Sequence, residues 1–387
     1  MQKWVTELDT VLALRLNLSD FDKLPPQFRT YTIASGRVTF RVPGEFEVDL
    51  TVADEDEDSQ FWFIDFRFAF APATDTVSEL VKNYLEMSCN AVLALDGFFG
   101  CYCFLHEFVL THKINELHRQ AAELARGLWA DNLLVEALPR ALAIQYWAAR
   151  HQGDDNAPKH WLMIGVYGSV GEDAARTTAS APATSAIVVK WFRDGKEVGD
   201  VAVDLQDISV ENLLMTVIGK HTYHILSALY TRLAILPMFQ DPNGQQLVIS
   251  PPESPPESMS LSLGIRAKTT VRLSFEPVTG SLYLSPSDPY LEAESERLNQ
   301  SKTIVEDALL SLERARCHFL LEDVVRTAAC AHWEQVRRPL PADIIKNNTQ
   351  VRNQHVTSFF ARKGWRPDWY LMFLMSPTGD SWWACQV

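Results

Sequence analysis

The sequence has few of the features that mark secreted or membrane-bound proteins. Its 387 residues contain six cysteines, which do not make a disulfide framework in a chain of this size. No apolar run approaches the length that a bilayer requires, and residues 1–10 lack the basic-then-apolar pattern of a secretory signal. We therefore expect a soluble, intracellular chain without a membrane partner.

Positive charge is also scarce. The chain carries 35 Lys and Arg against 49 Asp and Glu, a formal net charge of −14. Phosphate contacts require clustered Lys and Arg, so this composition argues against a nucleic-acid-binding surface. An acidic chain favours neutral or basic partners.

The familiar catalytic and metal-binding motifs are missing as well. Cys101, Cys103, His106 and His112 lie close together, but two further ligands at finger-like spacing are absent and the segment is densely aromatic. The glycines of residues 165–171 are not followed by the Lys-Ser/Thr pair of a phosphate loop. The sequence predicts no catalytic, cofactor or metal site, and it leaves open an enzyme whose site assembles from distant residues.

What the sequence does contain is a pattern of helices and strands that runs twice. "LHRQAAELARGLW" aligns without a gap on "LEDVVRTAACAHW", and "KHWLMIGV" aligns on "PDWYLMFL". We predict an α+β fold of two tandem modules, each a mainly antiparallel meander packed by helices, over residues 1–203 and 204–387. The chain ends within a strand pattern, so we expect a fragment whose second module is truncated at its C-terminus.

The predicted elements follow from hydrophobic periodicity. In the first module they are an N-terminal helix over 2–15, strands within 31–71 (31–42, 46–52 and 61–71), helices within 76–150 (one of them over 132–150), and strands within 160–193. In the second they are a helix over 210–236, a second strand set, a helical stretch over 289–336 and a C-terminal hairpin.

Alternation in "SGRVTFRVPGEFEVDLTV" predicts a hairpin with one dry face. Residues that face each other lie on the same side of a sheet, so Val42 must oppose Phe46. We therefore predict a three-residue connection, 43–45, with Gly44 at positive φ. The same register places Arg41 opposite Glu47. In the following strand we expect the dry face to continue through Ile64, Phe66, Phe68 and Phe70.

The residue order "GRVTFRVPGEFEVDLTV", preceded by "LPPQFRTYTIAS", resembles the Mediator subunit 14 family. In that family a helix, a proline-containing bend and this strand pair occur in the same order, and "LHEFVLTHKINELHRQAAELARGLWADNLLVE" is similar to the helix that follows. The resemblance is strong over residues 12–150 and is one of order and pattern beyond them, comparable to small RWD-like domains. The residues that carry the motif are Gly36, Arg37, Val38, Phe40, Val42, Pro43, Gly44, Phe46 and Val48.

The resemblance implies a nuclear, non-enzymatic scaffold subunit of the Mediator coactivator. Such a subunit links Mediator's head, middle and tail modules, contacts other Mediator subunits, and so bridges regulators to RNA polymerase II. It implies no bound cofactor and no sequence-specific DNA binding. The family's middle-binding and tail-binding segments are expected outside this chain.

Exposed aromatic residues are the natural candidates for contacts with partners. Because neighbouring strand residues point to opposite faces, Trp382 and Trp383 cannot both face the protein interior. The candidate interface residues are Trp4, Leu8, Trp365, Trp369, Trp382 and Trp383.

Two polar segments and one alternative function stay open. The acidic run 54–58 is typical of a solvated loop or of a contact for a basic partner, and the "PPESPPES" insert at 251–258 is typical of a linker. A peptide-binding module that adds a strand to an open sheet edge is the alternative, with "SAIVVKWF" or the C-terminal hairpin as that edge.

Overall fold

The computed structural model describes residues 2–54, 56, 59–73, 77–151, 159–168, 185–239, 246–266, 269–337, 356–366, 368–376 and 379–387. Most of the acidic run and of the glycine-containing loop after residue 168 lies outside the described residues. The chain forms two compact units, Met1–Ala148 with Pro158–Leu213, and Ala149–Ala157 with Leu214–Val387. The module boundary at 203/204 stays a prediction.

The described residues of the first unit form two antiparallel sheets and two α-helices, besides short 3-10 and π-helical turns. Its helices are α1 (Gln2–Leu14) and α2 (Glu79–Arg126). The first sheet consists of β1 (Tyr31–Ala34), β2 (Arg37–Val42), β3 (Phe46–Val52) and β4 (Phe61–Phe68). The second consists of β5 (Leu133–Leu138), β6 (Ala141–Tyr146), β7 (Trp161–Tyr167), β8 (Ala186–Arg193) and β9 (Lys196–Val201).

The second unit repeats this order of elements, and most of α3 (Val210–Ala234) belongs to it. Its first sheet consists of β10 (Leu247–Ile249), β11 (Ser260–Arg266), β12 (Thr269–Phe275) and β13 (Leu282–Ser285). Two helices follow, α4 (Pro289–Asn299) and α5 (Ile304–Cys330). The second sheet consists of β14 (Trp333–Val336), β15 (Val356–Arg362), β16 (Trp369–Met375) and β17 (Ser381–Gln386).

The predicted α+β class is confirmed, because every named strand pair is antiparallel and each sheet follows chain order. In the part of the chain that the structure describes, each unit forms two meanders, whereas the sequence predicted one per module. The two locally similar segments fall at matching places, first at the ends of α2 and α5 and then in β7 and β16, the third strands of their sheets.

The predicted register of the β2–β3 hairpin is confirmed. Val42 pairs with Phe46, and the three-residue connection places Gly44 at a φ of +75°. Arg41 Nε lies 2.9 Å from Glu47 Oε1, in the cross-strand ion pair that the parity argument predicted.

Two details of this sheet differ from the sequence prediction. The predicted strand over 31–42 is a hairpin, because Ser35 and Gly36 both adopt positive φ and form a two-residue turn between β1 and β2. In β4 a bulge interrupts the alternation between the pairs Asp49–Asp65 and Leu50–Phe63. The bulge adds one residue to β4 and leaves Ile64 exposed, so its predicted place on the dry face was wrong.

The predicted helix over 132–150 was also wrong, since this segment forms β5, β6 and a short 3-10 turn. Pro139 and Arg140 form the two-residue turn, and Pro139 lacks the N–H that a helix interior needs. The alternating side chains of Leu142, Ile144 and Tyr146 are buried, so packing of one strand face outweighs the helical propensity of the Leu- and Ala-rich sequence.

The predicted continuous helix over 289–336 is three elements. Residues 300–303 separate α4 from α5, and the last residues form the strand β14. At the start of this region Asp288 caps α4, where its carboxylate accepts a hydrogen bond from the backbone N–H of Tyr290 at 2.8 Å.

One described helix, α2, is long and apolar enough to cross a membrane by length and composition, which the sequence analysis did not anticipate. Such a helix is also typical of a protein core, and 39% of its most apolar window is buried. Gly97, at a φ of +64°, breaks its helical geometry. The side chains of Asn90, His106 and Lys113 form hydrogen bonds with β4, with the turn at 44–45 and with two loops of the same unit, so we interpret α2 as a core helix.

Candidate interaction surfaces

The motif residues form the interior and the turns of the first sheet. The side chains of Val38, Phe40, Val42, Phe46 and Val48 are all buried. The ring of Phe40 stacks on Phe28 with centroids 4.6 Å apart, and the ring of Phe46 stacks on Phe66 at 5.8 Å. These residues hold the hairpin in place and do not offer a surface to a ligand.

The opposite face of the hairpin is held by a buried carboxylate. Asp49 is only 2% exposed although it lies on the face that the sequence predicts to be solvated. Arg37 Nη1 and Arg67 Nη2 donate to its two oxygens at 3.0 Å, and the Thr39 hydroxyl donates at 2.7 Å. Burial raises the pKa of Asp49, but the hydrogen bonds from Arg67 and Thr39 and the charges of both arginines outweigh it and lower that pKa.

A buried lysine of α2 holds the turn at Gly44. The Lys113 side chain is fully buried, and its Nζ donates to Gly44 O at 2.6 Å and to Leu205 O at 2.8 Å. The same ammonium lies 4.7 Å from the centre of the Phe70 ring. Burial lowers the pKa of Lys113 to about 8, although the charges of Glu45 and Asp204 oppose this shift.

His106, on the same helix, holds the next residue of the turn. Its Nδ1 lies 2.8 Å from Glu45 Oε2 and its Nε2 lies 2.8 Å from the carbonyl oxygen of Ser185. That carbonyl only accepts, so Nε2 carries a proton and donates. Burial lowers the pKa of His106, but the hydrogen bond and the charge of Glu45 outweigh burial and raise it.

Lys113 and His106 are residues that sequence reasoning missed as parts of the framework. They lie 69 and 61 residues from their partners in the turn. The seven-residue spacing places both on one face of α2, which is a signal of a shared contact but does not identify that contact.

Of the predicted interface residues in α1, Trp4 is 72% exposed and Leu8 is half-buried. The Leu8 side chain packs against Gly36, where an added Cβ would lie 3.3 Å from Leu8 Cδ1. Trp4 therefore lies on the surface of α1, whereas Leu8 packs against the turn at Gly36.

The remaining predicted residues lie in the last sheet of the second unit, except Trp365, which lies between β15 and β16. As expected, Trp382 and Trp383 occupy opposite faces of β17, opposite Phe373 and Met372 respectively. The Trp382 ring lies 4.5 Å from the Phe373 ring, yet both tryptophans keep 40% or more of their surface exposed. Trp365 is partly exposed and packs edge-on against Trp333, and Trp369 is half-buried in β16.

A buried arginine supports the turn that precedes β17. Arg316 of α5 is 1% exposed, and its Nη1 donates to both carboxylate oxygens of Asp380 at 3.0 Å. Its Nη2 donates to Ser376 O at 3.2 Å. The helix thus fixes the start of the strand that displays Trp382 and Trp383.

The sequence suggested that "SAIVVKWF" could be an open sheet edge. This suggestion was wrong, because the segment forms β8 and lies between β7 and β9. The C-terminal hairpin does provide an edge, since β17 pairs only with β16 among the described strands. The described residues include no group of three or more His, Cys, Asp or Glu side chains that could hold a metal ion.

Fold and surfaces together define a class, a repeated α+β protein whose buried polar side chains support turns and whose aromatic side chains reach the surface. A family model described as "Mediator complex subunit MED14" matches residues 1–54, and one described as "Fungal Med14 domain" matches residues 229–324. The chain belongs to the Mediator subunit 14 family.

Fungal relatives match the whole chain. The protein named Mediator of RNA polymerase II transcription subunit 14 in Pyricularia oryzae is 40% identical over 389 residues, covering 100% of this chain and 34% of the relative. Proteins of the same name in Chaetomium globosum and Neurospora crassa are each 36% identical, covering 99% and 100% of this chain and 33% and 31% of their own lengths. The chain thus spans about a third of the length of the relatives it matches.

Proposed function

We propose that this chain is part of a non-enzymatic scaffold subunit of the Mediator coactivator, in the nucleus. In this role it packs against other Mediator subunits and so helps to join the head, middle and tail modules, which bridge regulators to RNA polymerase II. The observation that carries the proposal is the similarity of the entire chain to proteins named as Mediator subunit 14. The proposed role requires no bound cofactor and no direct reading of DNA sequence.

The geometry of both units supports a scaffold. Buried Lys113 donates to the backbone oxygens of Gly44 and Leu205, and buried Arg316 donates through its two Nη atoms to Asp380 and to the backbone oxygen of Ser376. This use rigidifies the hairpins and leaves the charges without access to a substrate. Exposed tryptophans such as Trp4 and Trp382 fit contacts with permanent neighbours, because aromatic residues are enriched at the centres of interfaces.

Affinity purification tests this function. The folded, tagged chain should recover head and middle subunits from a nuclear extract of Pyricularia oryzae in stoichiometric amounts, measured by quantitative mass spectrometry. A variant with Trp382→Ser and Trp383→Ser is the interface control and should recover less. A folded wild-type chain that recovers no Mediator subunit would count against the proposal.

A second function, strand addition by a partner peptide, is favoured by the edge of β17 with which no other described strand pairs. An extended peptide would pair with its backbone and place alternate side chains against Trp382 and Trp383. Isotope-edited infrared spectra of the chain with a captured peptide test this mode. A peptide bound without an added strand contradicts it.

A further inference from the structure

The first half of α2 carries an apolar stripe on its solvent side. Leu80, Tyr84, Met87 and Leu95 are 83%, 56%, 76% and 84% exposed, and exposed Ala91 lies between the last two. Steps of four, three, four and four residues place all five on one face of a helix. We call these five residues the outer α2 stripe.

The opposite face of the same half-helix already makes the packing contacts of the unit. Leu85, Cys89 and Leu93 are buried there. Core packing therefore does not explain the outer α2 stripe, and exposed apolar patches of this kind mark interaction sites.

The second unit offers an internal comparison for this helix. Asn90 of α2 accepts a hydrogen bond from the backbone N–H of Phe63 in β4 at 2.8 Å. Asn299 of α4 accepts one from Leu282 in β13 at the same distance. In both units, then, the helix after the first meander binds that meander's fourth strand through an asparagine, which aligns the two helices residue by residue.

Under this alignment, the position that matches Leu80 holds exposed Pro289, but the positions that follow along the solvent side are not apolar. The positions that match Met87 and Ala91 hold Glu296 and Gln300, and the position that matches Tyr84 holds Ala293, all of them exposed. The same place in the fold is thus polar or small in one unit and apolar in the other. The outer α2 stripe is consequently a property of this helix and not a requirement of the fold.

The length and spacing of the stripe fit a helix as the segment that binds there. Fifteen residues separate Leu80 from Leu95, which is about 22 Å along a helix. Apolar residues spaced three and four apart form a ridge on one helix, and a second helix can pack its own side chains against that ridge. A helix face offers no free backbone groups, so an extended peptide could not add to it as a strand.

The charged residues next to the stripe indicate which charge the bound helix should carry. Between residues 78 and 99 the exposed charged side chains are Glu79, Glu86 and Asp96, whereas Lys82 is half-buried. At 100° per residue Glu79 and Glu86 lie along one flank of the stripe, and this acidic flank favours Lys and Arg on the facing side of a bound helix. It disfavours a second copy of this chain, which would oppose acid to acid, and an anionic membrane surface.

We propose that the outer α2 stripe docks a basic amphipathic helix of a partner protein. This inference rests on the proposed scaffold role, because a permanent docking face requires a permanent neighbour. It adds the location of one contact and the chemistry of the segment that makes it.

Site-specific photo-cross-linking tests the inference in the protein's native assembly. Met87→p-benzoylphenylalanine is introduced into the full protein that carries this chain, and cross-linked peptides are identified by mass spectrometry after irradiation. We expect cross-links to one segment of another subunit, with apolar residues three and four apart and a net positive charge. Cross-links to an acidic segment, to a strand, to a second copy or to lipid overturn the inference, and so does the lack of any cross-link from an intact complex.

A charge-reversal pair measures the contribution of the stripe. Met87→Glu with Leu95→Glu should weaken retention of the cross-linked segment by about tenfold or more, because two acids then face the bound helix. Leu128→Glu is the matched control, since Leu128 is 85% exposed at the other end of the same helix region and outside the stripe. Equal retention in both variants overturns the inference.

The two proposals fail in different ways. If the wild-type protein joins no Mediator subunit, the scaffold role is wrong. If it joins the complex normally but Met87 contacts no basic helix, only the docking inference is wrong.

Discussion

Replacing Lys113 with Met should destabilise the first unit by an amount that grows as the pH rises. The variant removes both donors from Gly44 O and Leu205 O. An unpaired buried acceptor costs about 1–3 kcal/mol. This cost applies in full to Gly44 O, whereas Leu205 O belongs to an exposed residue and adds less. At pH 7 the variant also removes a buried charge, which offsets part of this loss.

The size of that offset follows from the pKa of Lys113, which burial lowers from 10.5 to about 8. Below pH 8 the folded and unfolded states are both protonated, and the folded state carries a burial penalty of about 3 kcal/mol. Between pH 8 and 10.5 the folded state releases its proton first, so the wild-type protein becomes more stable relative to the variant. The difference in free energy of unfolding should therefore increase by about 2 kcal/mol from pH 7 to pH 9.5.

Urea unfolding of both proteins at pH 7, 8 and 9.5, followed by tryptophan fluorescence, measures this difference. Lys190→Met is the control. The hydrogen bond and the charge of Glu197 raise the pKa of this surface lysine, so the effect of the substitution on the free energy of unfolding should not change between pH 7 and pH 9.5. A Lys113→Met difference that is independent of pH, or that shrinks as the pH rises, would refute the assignment of Lys113 as a buried ammonium holding the turn.

Two further variants test the hairpin. Asp49→Asn should lower the free energy of unfolding by about 1–3 kcal/mol at pH 7, since Arg37 and Arg67 lose a buried carboxylate but stay partly solvated. Because the pKa of Asp49 is lowered, wild-type Asp49 contributes stability above pH 3.8 and loses it as the pH falls further, so acid unfolding curves of the two proteins should converge there. Gly44→Ala should cost about 1 kcal/mol in thermal unfolding through its positive φ, and Gly195→Ala, at a φ of +74°, should cost as much. A neutral Gly44→Ala would contradict the assigned turn.

Local pattern predicted the parts of the fold that depend on neighbours in the chain. The pairing of Val42 with Phe46 and of Arg41 with Glu47 follows from parity across a short turn, and both pairs form. Parity fails at Ile64, because a bulge adds a residue without changing the composition of the strand.

Local propensity predicts the wrong element where tertiary packing decides the structure. The Leu- and Ala-rich segment 132–150 favours a helix in isolation, yet its alternating face packs as a hairpin around Pro139. Lys113 and His106 bind a turn more than 60 residues away, and no local pattern specifies such a pairing.

The candidate surfaces were predicted in part. Adjacent Trp382 and Trp383 must lie on opposite faces of any strand, and they do. Their role in an interface stays a prediction, as does that of Trp4. The outer α2 stripe was missed because apolar residues on a helix look alike in sequence whether they face the core or the solvent.

The scaffold role is tested most directly by the integrity of Mediator without this segment. Residues equivalent to this chain are deleted from the full-length Pyricularia oryzae subunit, and the complex is purified through a head-subunit tag and weighed by native mass spectrometry. The scaffold account predicts that the head separates from the middle and tail modules. Recovery of one intact particle that contains all three modules would contradict it.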